Sequence, residues 1–309
     1  MATLKSFWTT SPQRNARQSW AEPRSTSTDL LNDRQIVGVA GFSIFRTYYR
    51  SKAMDLHLQG KVVVVTGGGS GIGAAICEVL AEEGAQPVVL ARRRPPEEWL
   101  WATGADFQQA ELSNDDACHA AVSAIRERHG AIHGLVNNAG ANDGVGIDKG
   151  PAAFRASLDQ NLVHYYTMVH LLADDLRATH GAIVNISSKT ALTGQGGTSA
   201  YIAAKAAQLG MTREWAVEFL PDKVRVNAIV VAEVMTPLYR RWLDTMSDPE
   251  VALKEIINRI PLGQRMTEAR EIGDACAFLL SDRSSHTTGQ WIFPDGGYTH
   301  LDRSIGGSR

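Results

Sequence analysis

The chain has 309 residues, 44% of them hydrophobic, which is enough for one large domain with a substantial core. The formal net charge of -2 gives no electrostatic reason to expect a nucleic acid partner. The longest apolar run, residues 36–45, is shorter than the roughly 18–20 residues that span a bilayer, so no membrane is expected. The three cysteines show no CxxC spacing. This favours buried thiols in a reducing, cytoplasmic compartment.

The first 53 residues differ in composition from the rest. They contain eight Lys or Arg against three Asp or Glu and show no sustained periodicity. Met54 directly precedes DLHLQGKVVVVTGG, where a folded domain would begin. This favours an upstream extension that results from a misplaced start; the alternative is an Arg-rich, acid-poor targeting arm. In both cases we expect residues 1–53 to be largely disordered and residues 54–309 to form the folded domain.

From Met54 onward, short apolar runs alternate with segments of helical period. Such alternation is typical of right-handed βαβ crossovers, and unbroken runs such as VVVV suit strands that are buried on both faces. We predict an α/β fold, a single Rossmann-like doubly wound domain with a seven-stranded parallel sheet. The predicted strands are 61–66, 87–91, 106–112, 134–137, 182–187, 224–230 and 290–293, and the main predicted helices are 72–84, 114–129, 152–179, 199–220 and 268–280.

A glycine-rich turn, TGGGSGIG over residues 66–73, follows the first predicted strand and begins the first predicted helix. Glycines allow the backbone to approach a pyrophosphate closely, and the helix N-terminus offers free N–H groups to it. The turn therefore predicts a bound dinucleotide. Its candidate contacts are Gly67, Ser70, Gly71, Ile72 and Gly73.

The end of the second predicted strand distinguishes NAD from NADP. An Asp or Glu there binds the ribose of NAD, whereas an Arg accepts the 2′-phosphate of NADP. The chain reads VVLARRRPP, with Arg92, Arg93 and Arg94 and no acid. This favours NADP. The alternative is that the arginines lie in a solvated loop end, which would leave NAD as the cofactor.

Three residues downstream could transfer a proton. Tyr201 and Lys205 are four residues apart and so share a helical face, and Ser188 follows the run AIVNIS. We expect the Lys205 ammonium and a positive nicotinamide to lower the pKa of Tyr201, so that it takes the proton of a substrate hydroxyl while hydride leaves the same carbon. Ser188 would bond the reacting oxygen. The alternative is that YxxxK is an ordinary surface pair.

These motifs, with NNAG at 137–140, Asn161 and DGG at 295–297, resemble the short-chain dehydrogenase/reductase family over residues 54–298. The resemblance implies that Asn161 is a fourth catalytic residue, which holds a water that relays protons through Lys205. It also implies a homodimer or homotetramer. Further cofactor contacts implied are Glu111, Leu112, Asn138, Ala139, Gly140, Val234 and Thr236. Two departures are Glu111 where Asp is usual, and Val231 and Ala232 where Pro-Gly is usual.

The candidate substrate pocket is polar. Its residues are Asn142, Lys189, Gln195, Glu233 and Tyr239. Many hydrogen-bonding groups suit a polyhydroxylated substrate, because buried unpaired polar groups cost about 1–3 kcal/mol each. The pattern resembles sugar dehydrogenases of the family, which oxidise the anomeric carbon to a lactone, and L-fucose-like sugars are the leading expectation. The alternatives are a 3-oxoacyl-carrier-protein reductase and a catalytically silent NAD(P)-binding sensor. His164 and His170, six residues apart, do not suggest a metal site.

Overall fold

The computed structural model describes residues 54–301, so the extension predicted at 1–53 lies outside the described residues. Seven strands form one sheet in the order β3-β2-β1-β4-β5-β6-β7, and all paired strands are parallel. This confirms the predicted fold class. The strands are β1 Val62–Thr66, β2 Gln86–Ala91, β3 Asp106–Gln109, β4 Gly134–Asn137, β5 Ala182–Ser188, β6 Arg225–Val231 and β7 Trp291–Ile292.

Strand β1 shows why the valine run forms a central strand. All five of its residues are buried. Val62 and Val64 pack into the core on one face of the sheet, and Val63 and Val65 pack into the core on the other face. Because alternate side chains point to opposite faces, a strand covered on both sides must be apolar at every position.

Helices cover both faces of the sheet. Within residues 54–301 they are α1 Gly71–Glu82, α2 Glu97–Thr103, α3 Asp115–His129, α4 Gly150–Leu158, α5 His164–Thr179, α6 Thr190–Thr193, α7 Ser199–Glu218, α8 Pro237–Leu243, α9 Pro249–Ile257 and α10 Ala269–Leu280. Helices α3, α5 and α7 contribute to one core, and α1 and α10 to the other. All three cysteines are buried as free thiols. None of the helices described between residues 54 and 301 has the length and hydrophobicity needed to cross a bilayer.

The structure differs from the prediction between residues 150 and 179. One continuous helix was expected over 152–179, but a π-helical turn, Asp159–Val163, separates α4 from α5. The turn contains Asn161. A π turn inserts one residue into the helix without breaking it, so the apolar pattern of the sequence continues across the insertion. Such turns are frequent at functional sites.

The other differences concern short elements. Strand β3 ends at Gln109, not at residue 112, because its pairing with β2 ends at Ala91. Leu112 is nevertheless buried in the core. Helices α2, α6, α8 and α9 were not predicted, since each has nine residues or fewer.

Candidate active site

The glycine turn after β1 has a backbone that only glycine adopts easily. Gly67 and Gly71 have φ angles of 65° and 56°. At Gly73 a β-carbon would lie 2.4 Å from the carbonyl oxygen of Gly67 and 2.7 Å from Nδ2 of Asn138. The first turn of α1 therefore packs directly against the backbone that precedes it, and a side chain at Gly73 would force the two apart.

Hydrogen bonds hold this turn to the segment NNAG. The backbone N–H groups of Asn138 and Ala139 donate to Thr66 Oγ1 at 2.9 and 3.1 Å. Asn138 Nδ2 donates in return to the carbonyl oxygen of Thr66 at 2.9 Å. The ends of the adjacent strands β1 and β4 are thereby fixed relative to each other, at the edge of the sheet where dinucleotides bind in open α/β folds.

The N-terminus of α1 fits an anionic group. Its N-cap residue, Ser70, makes no side-chain capping bond, and its first turn contains no acidic residue. The first N–H groups of a helix have no partner within the helix and carry the positive end of its dipole. Gly67, Ser70, Gly71, Ile72 and Gly73 could therefore hold a pyrophosphate, as the sequence predicted.

The three arginines after β2 have different surroundings. Arg94 is paired with Glu97, with its Nε 2.6 Å from Oε1, and lies over the ring of Phe107. Arg92 is exposed and lies 3.5 Å from the Glu111 carboxylate, which is itself half exposed. Arg93 is exposed and forms no ion pair with any residue the structure describes. Arg92 and Arg93 are thus the two side chains that could meet a 2′-phosphate.

Ser188 and Tyr201 come together in a buried environment. Ser188 is the last residue of β5, and Tyr201 lies in the first turn of α7. Burial raises the pKa of Tyr201 to about 12, and a hydrogen bond with Ser188 acts in the opposite direction. The Ser188 hydroxyl also accepts from the hydroxyl of Thr190 at 3.0 Å. Ser188 is therefore held in place beside the phenol.

Lys205 is buried, and its ammonium points to acceptors of the protein. Its Nζ donates to the carbonyl oxygen of Ile186 at 2.8 Å and to Gln208 Oε1 at 3.2 Å, and lies 3.4 Å from the Tyr165 hydroxyl. It is 5.6 Å from the centre of the Tyr201 ring. Burial lowers the pKa of Lys205 to about 7. Burial outweighs the charge of Lys205 at Tyr201, so the lowering of the Tyr201 pKa expected from Lys205 and a positive nicotinamide together stays a prediction that depends on the nicotinamide.

The π turn directs Asn161 toward the same place. Asn161 Oδ1 accepts from the backbone N–H of Ala141 at 2.8 Å, and its Nδ2 donates to the carbonyl oxygen of Ser157 at 3.1 Å. A β-carbon at Gly140 would lie 2.9 Å from Oδ1. The side chain is thus fully used in joining the loop after β4 to α4, and only the carbonyl group of Asn161 faces α7, where Gln208 donates to it at 2.7 Å.

Sequence reasoning missed Gln208 and Tyr165. Both are completely buried and both contact Lys205. The signal was present in α7, where polar residues recur at Lys205, Gln208 and Thr212 on the side that the helix buries. A buried polar stripe needs internal partners, so its members are candidates for a site.

Three of the predicted substrate residues form a network. Lys189 is ion-paired with Glu233, and the Tyr239 hydroxyl donates to the other carboxylate oxygen at 2.7 Å. Lys189 Nζ also lies 3.7 Å from the centre of the Tyr298 ring. The network begins next to Ser188, because β5 and β6 pair Ser188 with Val231, two residues before Glu233. We call Lys189, Glu233, Tyr239 and Tyr298 the polar network.

The remaining predicted residues lie apart from it. Asn142 and Gln195 are exposed, and Asn142 Oδ1 accepts from the backbone of Gly144 at 3.1 Å. Val234 is buried in the core. The Thr236 hydroxyl caps helix α8, and its methyl group lies next to Gly71.

His164 is buried, and its pKa is lowered to about 4 by burial and by the charge of Lys205. His170, on α5, stacks on Tyr166.

A family model described as enoyl-(acyl carrier protein) reductase matches residues 67–299. The chain belongs to the short-chain dehydrogenase/reductase family. Members of this family are oxidoreductases that act on small molecules and generally use NAD or NADP. The matched segment contains every residue of the site described above except Thr66, which directly precedes it.

Several relatives in this short-chain dehydrogenase/reductase family carry names that refer to sugars. L-fucose dehydrogenase of Rattus norvegicus is 36% identical over 245 residues, which cover 77% of this chain and 89% of the relative. The ligand-free structure of aldohexose dehydrogenase from Thermoplasma acidophilum is 32% identical with a TM-score of 0.74, and the match covers 80% of this chain and 96% of that one. The structure of Cj0485 dehydrogenase is 45% identical with a TM-score of 0.79, and covers 82% and 99%.

Proposed function

We propose that the protein is an NAD(P)-dependent dehydrogenase of sugar or polyol hydroxyls, and that its best substrate is L-fucose or a similar aldose, oxidised at C1 to the lactone. The observation that carries the proposal is the polar network, which lies next to Ser188 and consists of one carboxylate, one ammonium and two phenols. The names of the relatives agree with a sugar substrate.

The polar network suits a substrate with several hydroxyl groups. A carboxylate accepts from two sugar hydroxyls, and an ammonium and a phenol donate to others. The Glu233 and Lys189 side chains are only 12% and 14% exposed, so an apolar ligand that displaced their remaining water would desolvate this ion pair further without offering it a hydrogen bond. An acyl chain would meet that cost, whereas a pyranose would not.

The chemistry follows from the positions of Ser188, Tyr201 and Lys205. When bound, the nicotinamide accepts the hydride from the carbon that carries the reacting hydroxyl. Ser188 would bond the reacting oxygen and hold it beside Tyr201. Because its pKa is raised to about 12, Tyr201 is protonated at neutral pH and can donate its proton to a carbonyl oxygen in the reductive direction.

In the oxidative direction Tyr201 must act as a phenolate. Nearby positive charge favours that form, and the Lys205 ammonium is one such charge. Lys205 would also hold the nicotinamide ribose. The Lys205 ammonium has three N–H groups. The hydrogen bond to the Tyr165 hydroxyl is the longest of their three contacts, at 3.4 Å, so this N–H group is the one most easily redirected to a new acceptor such as the ribose.

We further propose NADP as the preferred cofactor, because Arg92 and Arg93 are exposed at the end of β2, and the ion pair of Arg92 with Glu111 is long, at 3.5 Å. Its binding residues would be Gly67, Ser70, Gly71, Ile72, Gly73, Arg92, Glu111, Leu112, Asn138, Ala139, Gly140, Tyr201, Lys205, Val234 and Thr236.

Assembly as a homodimer or homotetramer is also proposed. Tyr166 on α5 and Val217 on α7 are exposed large side chains on helices that such a contact could bury.

The deciding experiment is a substrate panel with the purified full chain. Aldoses are assayed for oxidation with NAD and with NADP, in parallel with reduction of an acetoacetyl thioester. Turnover of L-fucose or a related aldose is expected. Absence of turnover with every aldose together with rapid thioester reduction would replace the proposal by a 3-oxoacyl-carrier-protein reductase, the alternative to which the family model's description is closest.

Replacement of the phenol tests the proposed catalytic residues. We expect Tyr201→Phe to lower kcat for the best substrate by about 10²- to 10⁴-fold, since general acid–base catalysis contributes that much. The matched control is Tyr166→Phe on α5, whose exposed ring stacks on His170. Unchanged turnover of Tyr201→Phe would show that another group transfers the proton. No activity in the wild type toward any carbonyl or alcohol would instead favour the silent sensor.

A further inference from the structure

Gln208 connects two members of the proposed catalytic set. It lies on α7 one turn after Lys205 and has no exposed surface. Its Nε2 donates to the carbonyl oxygen of Asn161 at 2.7 Å, and its Oε1 accepts from Lys205 Nζ at 3.2 Å. The two polar atoms of the amide thus contact Asn161 and Lys205, and the side chain also hydrogen-bonds with Tyr165.

The resemblance described above places a water between the same two residues. Such a water would join Asn161 to the Lys205 ammonium, and Gln208 contacts both of these residues. We propose that the Gln208 side chain replaces this water as a fixed bridge, and that Gln208 is a positioning residue for Lys205. The inference rests on the proposed role of Lys205 in the dehydrogenase reaction.

The bridge has only one favourable orientation. A carbonyl oxygen requires a donor and an ammonium requires an acceptor, so the NH2 group must face Asn161 and the oxygen must face Lys205. The reversed amide would place donor against donor and acceptor against acceptor. The contacts therefore fix the direction of the amide as well as its position, and with it the direction of one N–H bond of Lys205.

A glutamine bridge differs chemically from a water bridge. A water accepts one proton while it releases another, whereas an amide donates through nitrogen and accepts through oxygen without exchanging the proton it holds. Gln208 therefore orients the Lys205 ammonium and favours its charged form, in opposition to burial, but transfers no proton. Proton exchange between Tyr201 and the solvent must then follow a route that does not pass through the Asn161 carbonyl.

Substitution by Leu and by Ala separates positioning from packing. Leu fills most of the volume but forms neither bond, whereas Ala leaves space in which a water can join the carbonyl to the ammonium. We expect Gln208→Leu to lower kcat by about 10- to 100-fold, the effect of losing a hydrogen bond to a charged group, with little change in the KM for the sugar. Gln208→Ala should retain more activity than Gln208→Leu. A packing role predicts the reverse order and would overturn the proposal.

The pH dependence of kcat provides a readout that packing alone would not move. Loss of the Gln208 acceptor in Gln208→Leu disfavours the ammonium, so the decline of kcat at high pH should begin at lower pH. The isosteric variant Gln208→Glu places a carboxylate beside Lys205, which favours the ammonium. The decline of kcat should then begin at higher pH. The other titratable groups near Lys205 are Tyr165, Tyr201 and His164, and His164 is already neutral in this range. Unshifted profiles in both variants would refute the bridge.

The same variants remain informative if no aldose is oxidised, an outcome that would refute the proposed function alone. NADPH affinity, measured by fluorescence, should then fall about 10-fold or more in Gln208→Leu and less in Gln208→Ala. A crystal structure of Gln208→Ala should show a water within hydrogen-bonding distance of Asn161 O and Lys205 Nζ. Wild-type affinity in Gln208→Leu, or no water in Gln208→Ala, would contradict the inference.

Discussion

The polar network makes a quantitative prediction about stability. Lys189→Met leaves the Glu233 carboxylate without its cation in a site where only 12% of the side chain is exposed. Removal of one partner from a buried ion pair costs about 3–5 kcal/mol. The Tyr239 hydroxyl continues to donate to Glu233 and some solvent reaches it, so we expect a loss of about 2–3 kcal/mol in the free energy of unfolding.

The double variant Lys189→Met/Glu233→Gln removes both charges and should recover most of this loss. The resulting double-mutant cycle should give a coupling free energy of about 2 kcal/mol, measured by urea unfolding at pH 7.5. The exposed pair Arg240–Glu250 is the matched control, with an expected coupling below about 1 kcal/mol. A coupling at Lys189–Glu233 no larger than that of the control would show that the pair is solvated, and would remove the energetic argument for a sugar in this pocket.

Two further predictions concern charge. The pKa of Lys205 is about 7 in the folded protein against its ordinary value of 10.5, so the unfolded chain binds more protons between these two pH values. The stability of the wild type relative to Lys205→Met should therefore rise with pH in that range, by up to about 1.4 kcal/mol per pH unit, measured by urea unfolding. A stability difference that does not change with pH would contradict burial of the lysine. The double variant Arg92→Ser/Arg93→Ser should raise the KM for NADP by about 10-fold or more and leave the KM for NAD unchanged. Arg94 is paired with Glu97, so the control Arg94→Ser should leave the ratio of the two KM values unchanged. Equal effects of the double variant on both KM values would remove the case for NADP.

The sheet could be predicted because its strands are chemically unambiguous. In β1, four consecutive valines must face two cores, and no helix of that length would bury them all. The sheet edge that gathers Ser188, Tyr201 and the glycine turn follows from the parallel topology, since strand ends of one direction meet at one edge. Local pattern and tertiary structure agree in these elements.

The parts that were missed depend on contacts between distant residues. The π turn at Asp159–Val163 preserves the apolar period and is visible only through the direction of Asn161. The sequence alone does not distinguish Gln208 from other helix residues, because its partner, the carbonyl group of Asn161, lies 47 residues earlier in the π turn. The effect of burial, which raises the pKa of Tyr201, could not be predicted, because a motif specifies which groups are neighbours but not how much water reaches them.

The location of the polar network has a consequence for how such a protein can diverge. Ser188, Asn161 and Lys205 belong to the sheet and to the long helices packed on it, whereas Glu233 and Tyr239 belong to the segment that leaves β6 and continues into α8 and α9. Bonds from that segment to the rest of the domain include the Leu262 N–H to the carbonyl oxygen of Gly296 and the ion pair of Glu233 with Lys189. Recombination of residues 232–267 between homologous genes would thus exchange Glu233 and Tyr239, two of the four members of the polar network, while Ser188, Asn161 and Lys205, which we propose as catalytic, are inherited unchanged.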